Sequence, residues 1–100
     1  MVGKGGYVYI VANHTHSTLY IGVTSDLYVR ILSHKNGDGS IFTKKYNCNK
    51  LLYYEFFEHI SSAIEREKQL KKWKREWKNK LIGEFNPAYK DLFNEILDFR

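Results

Sequence analysis

Apolar and polar positions alternate from the start of the chain. Residues 6–12 and 18–24 are rich in Val, Ile and Tyr and read as two strands. Between them lies Asn13-His14-Thr15-His16-Ser17, a cluster of turn formers, so the pair predicts a hairpin. Val8 and Ile10 share one face of the first strand, and Leu19, Ile21 and Val23 share one face of the second. Burying both sets together fixes the parity of the register, because a one-residue slip turns a whole face over. Tyr9 and Tyr20 then lie together on the opposite face.

Thr24-Ser25-Asp26 is a helix start signal, and Gly37-Asp38-Gly39 a stop, which predicts a helix over 27–36. Residues 40–50 read as a polar loop holding Lys44, Lys45, Tyr46 and Lys50, and 51–57 as a third strand. Ser62-Ala63-Ile64-Glu65 has the capping-box pattern. A long helix is expected from there to about Ile82, ended by Gly83. After a turn at Asn86-Pro87, an amphipathic helix over 88–97 carries Leu92, Phe93, Ile96 and Leu97. The order β-β-α-β-α-α predicts an α+β fold, a small antiparallel sheet flanked by helices. No repeat or low-complexity linker interrupts it, so the expectation is one domain over residues 1–100, with its core at about 6–97.

The long helix places one charge where an apolar residue is expected. At about 100° per residue, Ile60, Ala63, Leu70, Trp77 and Leu81 fall on one stripe, and Glu67 falls within it. Glu65 points nearly the opposite way. A carboxylate on a core-facing stripe is costly unless it is paired or binds a cation. An ion pair with Arg30 or a lysine satisfies that as well as a metal does, and Lys71 and Lys74 lie near the same stripe. Arg30 and His34, four apart, share a helical face. Arg is suited to clamping a phosphate, although such a pair is also ordinary surface chemistry. The two strand tyrosines are likewise compatible with cross-strand packing alone.

Charge narrows the class of partner. The net charge is +5 with a pI of about 9.3, which favours nucleic acid first and an acidic membrane surface second. Cys48 is the only cysteine, so no intrachain disulfide forms. The first residues lack the apolar run of a signal peptide and no stretch approaches a membrane span, so the expected location is cytoplasmic, without membrane contact. Gly3-Lys4-Gly5-Gly6 lacks P-loop spacing and reads as a mobile N-terminus. His14 and His16 read as turn residues, without partners at zinc spacing.

Taken together, these residues form a pattern. Tyr7-Val8-Tyr9, ten residues, then Tyr20-Ile21-Gly22 resembles the signature of the GIY-YIG nuclease superfamily. Arg30-x-x-x-His34, Phe42-Thr43-Lys44-Lys45-Tyr46, the run Arg66 to Lys71 and Asn86-Pro87 through Asp91-Leu92 extend the resemblance over nearly the whole chain, to its small stand-alone (UPF0213-like) members. One departure is that Tyr7 and Val8 stand where the first triplet has Gly and Ile. The resemblance implies a three-stranded antiparallel sheet with flanking helices and metal-dependent hydrolysis of a DNA phosphodiester. It implies that Tyr20 serves as general base or activates the water, with Tyr9 supporting it by hydrogen bonding. Arg30 would stabilise charge on the phosphate and Glu67 would bind one divalent ion, Mg²⁺ or Mn²⁺. His34 matches a histidine that some branches use near the scissile phosphate.

The expected function is therefore a metal-dependent DNA endonuclease of repair or processing, selective for DNA structure. Lys35, Lys44, Lys45 and Lys71 are expected to hold nucleic acid, along with Lys50 and the basic run to Lys80. Trp73 and Trp77 are divided between base stacking and core packing. Competing expectations are a nucleic-acid-binding module with little or no catalysis and, more weakly, a protein-interaction domain using the basic helix. A protein partner for targeting and a monomer or weak dimer complete the expectations.

Overall fold

The computed structural model of the chain describes residues 5–99. Gly3 and Lys4, and with them most of the expected mobile N-terminus, lie outside the described residues. The hairpin forms as the alternation requires: β1 (Gly6–Ala12) and β2 (Leu19–Thr24) pair antiparallel, with Val8 opposite Val23 and Tyr9 opposite Gly22. β3 (Lys50–Phe57) joins the other edge of β1, also antiparallel, with a register shift between Ile10 and Val11. The strand order β2-β1-β3 makes β1 central.

Helices cover both faces of this sheet. On one face Val8, Ile10, Ala12, Ile21 and Leu52 pack under α3 (Ile60–Lys72) and α4 (Arg75–Phe85) through Ala63, Leu70 and Ile82. On the other, Tyr9, Val11 and Leu51 pack under α1 (Leu27–Lys35) and a C-terminal 3-10 helix (Leu92–Ile96) through Leu27, Ile31, Leu92 and Ile96. Each fully buried aliphatic side chain contributes about 1.5–3 kcal/mol relative to exposure. The face bearing Tyr9 is thus a second core, with the polar Tyr9–His34–Thr43 contacts buried at its edge.

Three expected elements differ. Residues 40–50 are not simply a polar loop: they hold a short helix, α2 (Ile41–Tyr46), with Ser40 and Thr43 closing a capping box and Asn47 ending it in the left-handed region at φ 56°. The expected long helix is two. Trp73 and Lys74 adopt extended backbone, breaking it into α3 and α4. The reason is tertiary: Arg75 donates to the carbonyls of His16 and Ser17 in the hairpin turn, which aims α4 away from the α3 axis. The Ser62–Glu65 pattern does not begin α3, because His59 precedes its first residue, and Gly83 lies inside α4 rather than at its end. The last amphipathic segment is a 3-10 helix of five residues started by Asp91. Asn86 is buried and ties the preceding turn to the sheet, its Nδ2 donating to the Leu52 and Lys90 carbonyls at 3.2 and 2.8 Å. Among the described residues no helix is long and apolar enough to cross a membrane.

Candidate active site

Central β1 delivers Tyr9 to the interior between sheet and α1, where its side chain is 1% exposed. A cross-strand Cβ would collide with its ring. Gly22 supplies that space: a Cβ there would lie 2.4 Å from both the Cζ and the hydroxyl of Tyr9. This is the physical reason for glycine after Tyr20-Ile21.

α1 is capped by Asp26, whose carboxylate accepts from the Val29 N–H at 3.1 Å. With Leu27 and Ile31 turned into the core, the four-residue spacing brings Arg30 and His34 over the Tyr9 hydroxyl. Arg30 Nε donates to that hydroxyl at 3.3 Å, and His34 Nε2 lies 2.8 Å from it. The other ring nitrogen, His34 Nδ1, meets Thr43 Oγ1 at 3.1 Å. Thr43 is itself held by the Ser40 N–H at 2.9 Å and donates to the Ser40 carbonyl at 3.2 Å. One proton arrangement serves every group. Tyr9 donates to Nε2, Nδ1–H donates to Thr43, and Arg30 donates to the phenol. Gly39 lets the loop close on this histidine, since a Cβ there would meet Nδ1 at 2.0 Å.

The electrostatics follow from burial. Desolvation pushes the Tyr9 phenol up to about 12, against the pull of the Arg30 guanidinium. Burial, then the charge of Arg30, pushes His34 down to about 4. Both groups are therefore neutral across the physiological range. The hydrogen bond to Tyr9 raises Arg30 further, which stays cationic.

Tyr20 joins them from β2, half-buried. Its ring stands 5.9 Å from His34 and 5.8 Å from Phe42, and its hydroxyl is among the groups that act on Arg30. Glu67 approaches from α3, its side chain 16% exposed, with Lys71 Nζ at 3.3 Å from Oε2. It lies close enough to Tyr9 for its charge to help raise the phenol. The structure therefore groups Tyr9, Tyr20, Arg30, His34 and Glu67. Helical phase also separated the two glutamates correctly: Glu65 is exposed.

The expected nucleic-acid lysines divide. Lys44 and Lys45 are exposed on α2 beside the site. Lys35 is engaged elsewhere, with its Nζ 2.5 Å from Asp91 and donating to the Asn49 carbonyl at 2.9 Å. Lys71 is the partner of Glu67, and Lys50 Nζ lies 2.8 Å from His16 Nε2. Sequence reasoning reads Gly39 only as part of a helix stop and gives Thr43 no role at the site. Thr43 stood inside the quoted Phe42–Tyr46 motif, and a helix-capping signal at Ser40 was the available clue.

Glu67 suits a hard divalent cation, as a single carboxylate oxygen donor at the edge of the cluster. Mg²⁺ commonly takes one or two carboxylates and fills its remaining positions with water and phosphate oxygens. Among the described residues no three His, Cys, Asp or Glu side chains converge, so Glu67 would be the protein's share of such a site.

Known proteins show the same pattern. A family model described as the GIY-YIG catalytic domain matches residues 5–81. A UPF0213 protein of Staphylococcus saprophyticus is 41% identical over 78 residues, which is 78% of this chain and 94% of that one. A UPF0213 protein of Clostridium perfringens is 43% identical over 77 residues, covering 77% and 82%. The solution NMR structure of a UPF0213 protein from Bacillus halodurans superposes with a TM-score of 0.56 at 25% identity, covering 96% of this chain and 99% of its own. With the paired strands, Gly22 under Tyr9 and the Arg30–His34 face all in place, the chain belongs to the GIY-YIG catalytic-domain family.

Proposed function

We propose that this protein is a divalent-metal-dependent endonuclease that hydrolyses phosphodiester bonds of DNA. The observation that carries the reading is the cluster at the Tyr9 hydroxyl. A buried phenol, a neutral imidazole and a guanidinium meet there, with a carboxylate near enough to act on the phenol.

Phosphoryl transfer is catalysed mainly by positioning and by charge at the phosphate. Arg30 binds the scissile phosphate through its terminal nitrogens, because Nε is occupied by Tyr9. Tyr9, held protonated by burial, fixes that guanidinium instead of taking a proton itself. Tyr20, on the more open side, orients the attacking water and, as the phenolate beside the Arg30 cation, takes its proton and becomes the neutral phenol. His34 locks Tyr9 from behind. Glu67 would hold Mg²⁺ or Mn²⁺, and when bound the ion supplies charge stabilisation to phosphate oxygens and acidifies a coordinated water. Lys44 and Lys45 line the approach of the strand.

One contact favours a second reading. Lys71 already neutralises Glu67 in part, as expected of a binding module that has lost its metal. Incubating the pure protein with plasmid, branched DNA, single-stranded DNA and RNA, each with Mg²⁺, Mn²⁺ or EDTA, separates the two. Cutting that needs the metal and drops at least about a hundredfold in Arg30→Ala and Glu67→Gln supports the enzyme, a loss of the size seen when a single charge-stabilising donor is removed. Equal activity in wild type and Glu67→Gln, or salt-sensitive binding without cutting, leaves the binding module.

A further inference from the structure

Positive charge is not spread evenly over this protein. Residues 66–80 carry eight basic side chains, from Arg66 to Lys80, against Glu67 and Glu76, a net of +6. The whole chain carries +5, so the other 85 residues together total −1. The basic segment is the end of α3, the break at Trp73-Lys74 and the first half of α4. Lys68, Lys72, Lys74, Arg75 and Lys80 are exposed there.

The break also decides the fate of the two tryptophans. A continuous helix would keep Trp77 on the core stripe, with Trp73 at its edge. Instead Trp73 rests half-buried on the core beneath, while Trp77 is 51% exposed. Their rings meet edge to face, 6.1 Å apart at 84°. They form one wall of an open groove of about 350 Å³, completed by Lys80, Leu81 and Glu84. Lys74 Nζ stands 5.8 Å from the Trp77 ring. None of Tyr9, Tyr20, Arg30, His34 and Glu67 lines this groove, so it is distinct from the candidate active site.

We propose that the α3–α4 elbow is a second nucleic-acid contact, in which an unpaired base stacks on Trp77 in the groove while Lys74 and Lys80 hold the flanking phosphates. The proposal rests on the reading of this chain as a protein acting on nucleic acid, and places one contact outside the hydrolytic site. A half-exposed indole among lysines is the composition that binds single strands: every base has a π face and every nucleotide a charge. Glu84 at the rim would repel a phosphate, so the ring and not the phosphate occupies the groove. Its carboxylate accepts hydrogen bonds from donors on a base edge.

Trp73 and Trp77 are the only tryptophans of the chain, so their fluorescence reads this surface alone. The full-length protein is titrated in EDTA with a single-stranded oligonucleotide, with a blunt duplex of the same length and with polyglutamate. The expected result is saturable quenching by the single strand, weaker for the duplex and weakest for polyglutamate. Trp77→Ala, read through Trp73, should weaken binding about tenfold and Trp77→Phe should restore most of it. Lys74→Ala with Lys80→Ala should lower the slope of log K against log salt by about 1.4. Trp77→Ala should raise KM for cutting and leave kcat unchanged. Equal quenching by duplex and single strand overturns the stacking, and stronger quenching by polyglutamate assigns the surface to an acidic protein. Quenching retained by a wild-type protein that cuts no substrate removes the endonuclease and leaves the elbow. Cutting with no quenching and no effect of Trp77→Ala removes the elbow alone.

Discussion

Gly22 faces the ring of Tyr9 across the β1–β2 ladder, and alanine there would drive a Cβ into the phenol. The ring must then move away from Arg30 and His34. Gly22→Ala is expected to cost about 1–3 kcal/mol in urea unfolding, as overpacking does, and to reduce kcat/KM by at least about tenfold through the displaced guanidinium. His34 carries a pH signature. Its folded value of about 4 lies below that of an unfolded histidine, so the unfolded chain takes up its proton first on acidification. The stabilisation is complete above pH about 6.5 and falls through the window down to about 4, by roughly 3 kcal/mol in all. Unfolding curves at stepped pH should show that loss, and His34→Gln should flatten it. Thr43→Val removes the acceptor for Nδ1–H. The ¹⁵N shifts of the imidazole should then report a mixed tautomer, while Thr43→Ser keeps a single one. Alternation alone set Tyr9 and Tyr20 on one face, and helical phase preferred Glu67 to Glu65. Neither pattern points to Thr43, whose role depends on a hydroxyl meeting a ring nitrogen nine residues earlier in the chain.

At the scale of elements, the C-terminal 3-10 helix packs into the core through Leu92 and Ile96 and is tied to its neighbours by one carboxylate. Asp91 accepts from the Leu51 N–H at 3.2 Å, from the Phe93 N–H at 3.0 Å and from Lys35. It thereby joins β3, α1 and the last turn. Asp91→Ala should destabilise the fold by about 2–3 kcal/mol, more than an exposed ion pair is worth, because two backbone donors lose their acceptor with it. A melting experiment on that variant beside Lys35→Ala separates the two contributions. Local pattern does not reveal this ion pair of Lys35, because its partner stands 56 residues away. The elements that local pattern specifies, β1, β2, β3 and α1, agree closely with expectation. Those it misplaces are set by distant bonds. Arg75 reaching the hairpin turn splits the long helix, and Asp91 reaching β3 shortens the last one to a 3-10 helix of five residues.

Over the whole molecule, the basic segment meets the candidate site at one end only. Glu67 and its partner Lys71 belong to both, whereas the Trp73–Trp77 groove is lined by none of the site residues. The sequence showed the basic run and both tryptophans, but not that the chain bends between them. The central strand has a consequence of its own. Val8 to Ala12 are each 0–1% exposed, and successive residues feed opposite cores. β1 is therefore the segment whose amides should be released only by global opening, and Tyr9 is one of its residues. In hydrogen exchange the β1 amides should carry the full unfolding free energy. In a urea titration the loss of cutting should coincide with the loss of near-UV signal, with no fraction of molecules that is folded elsewhere but inactive. An enzyme built on loops can be softened by degrees. Here the candidate site shares the fate of the most protected strand, so storage or heating should leave each molecule either fully competent or wholly unfolded.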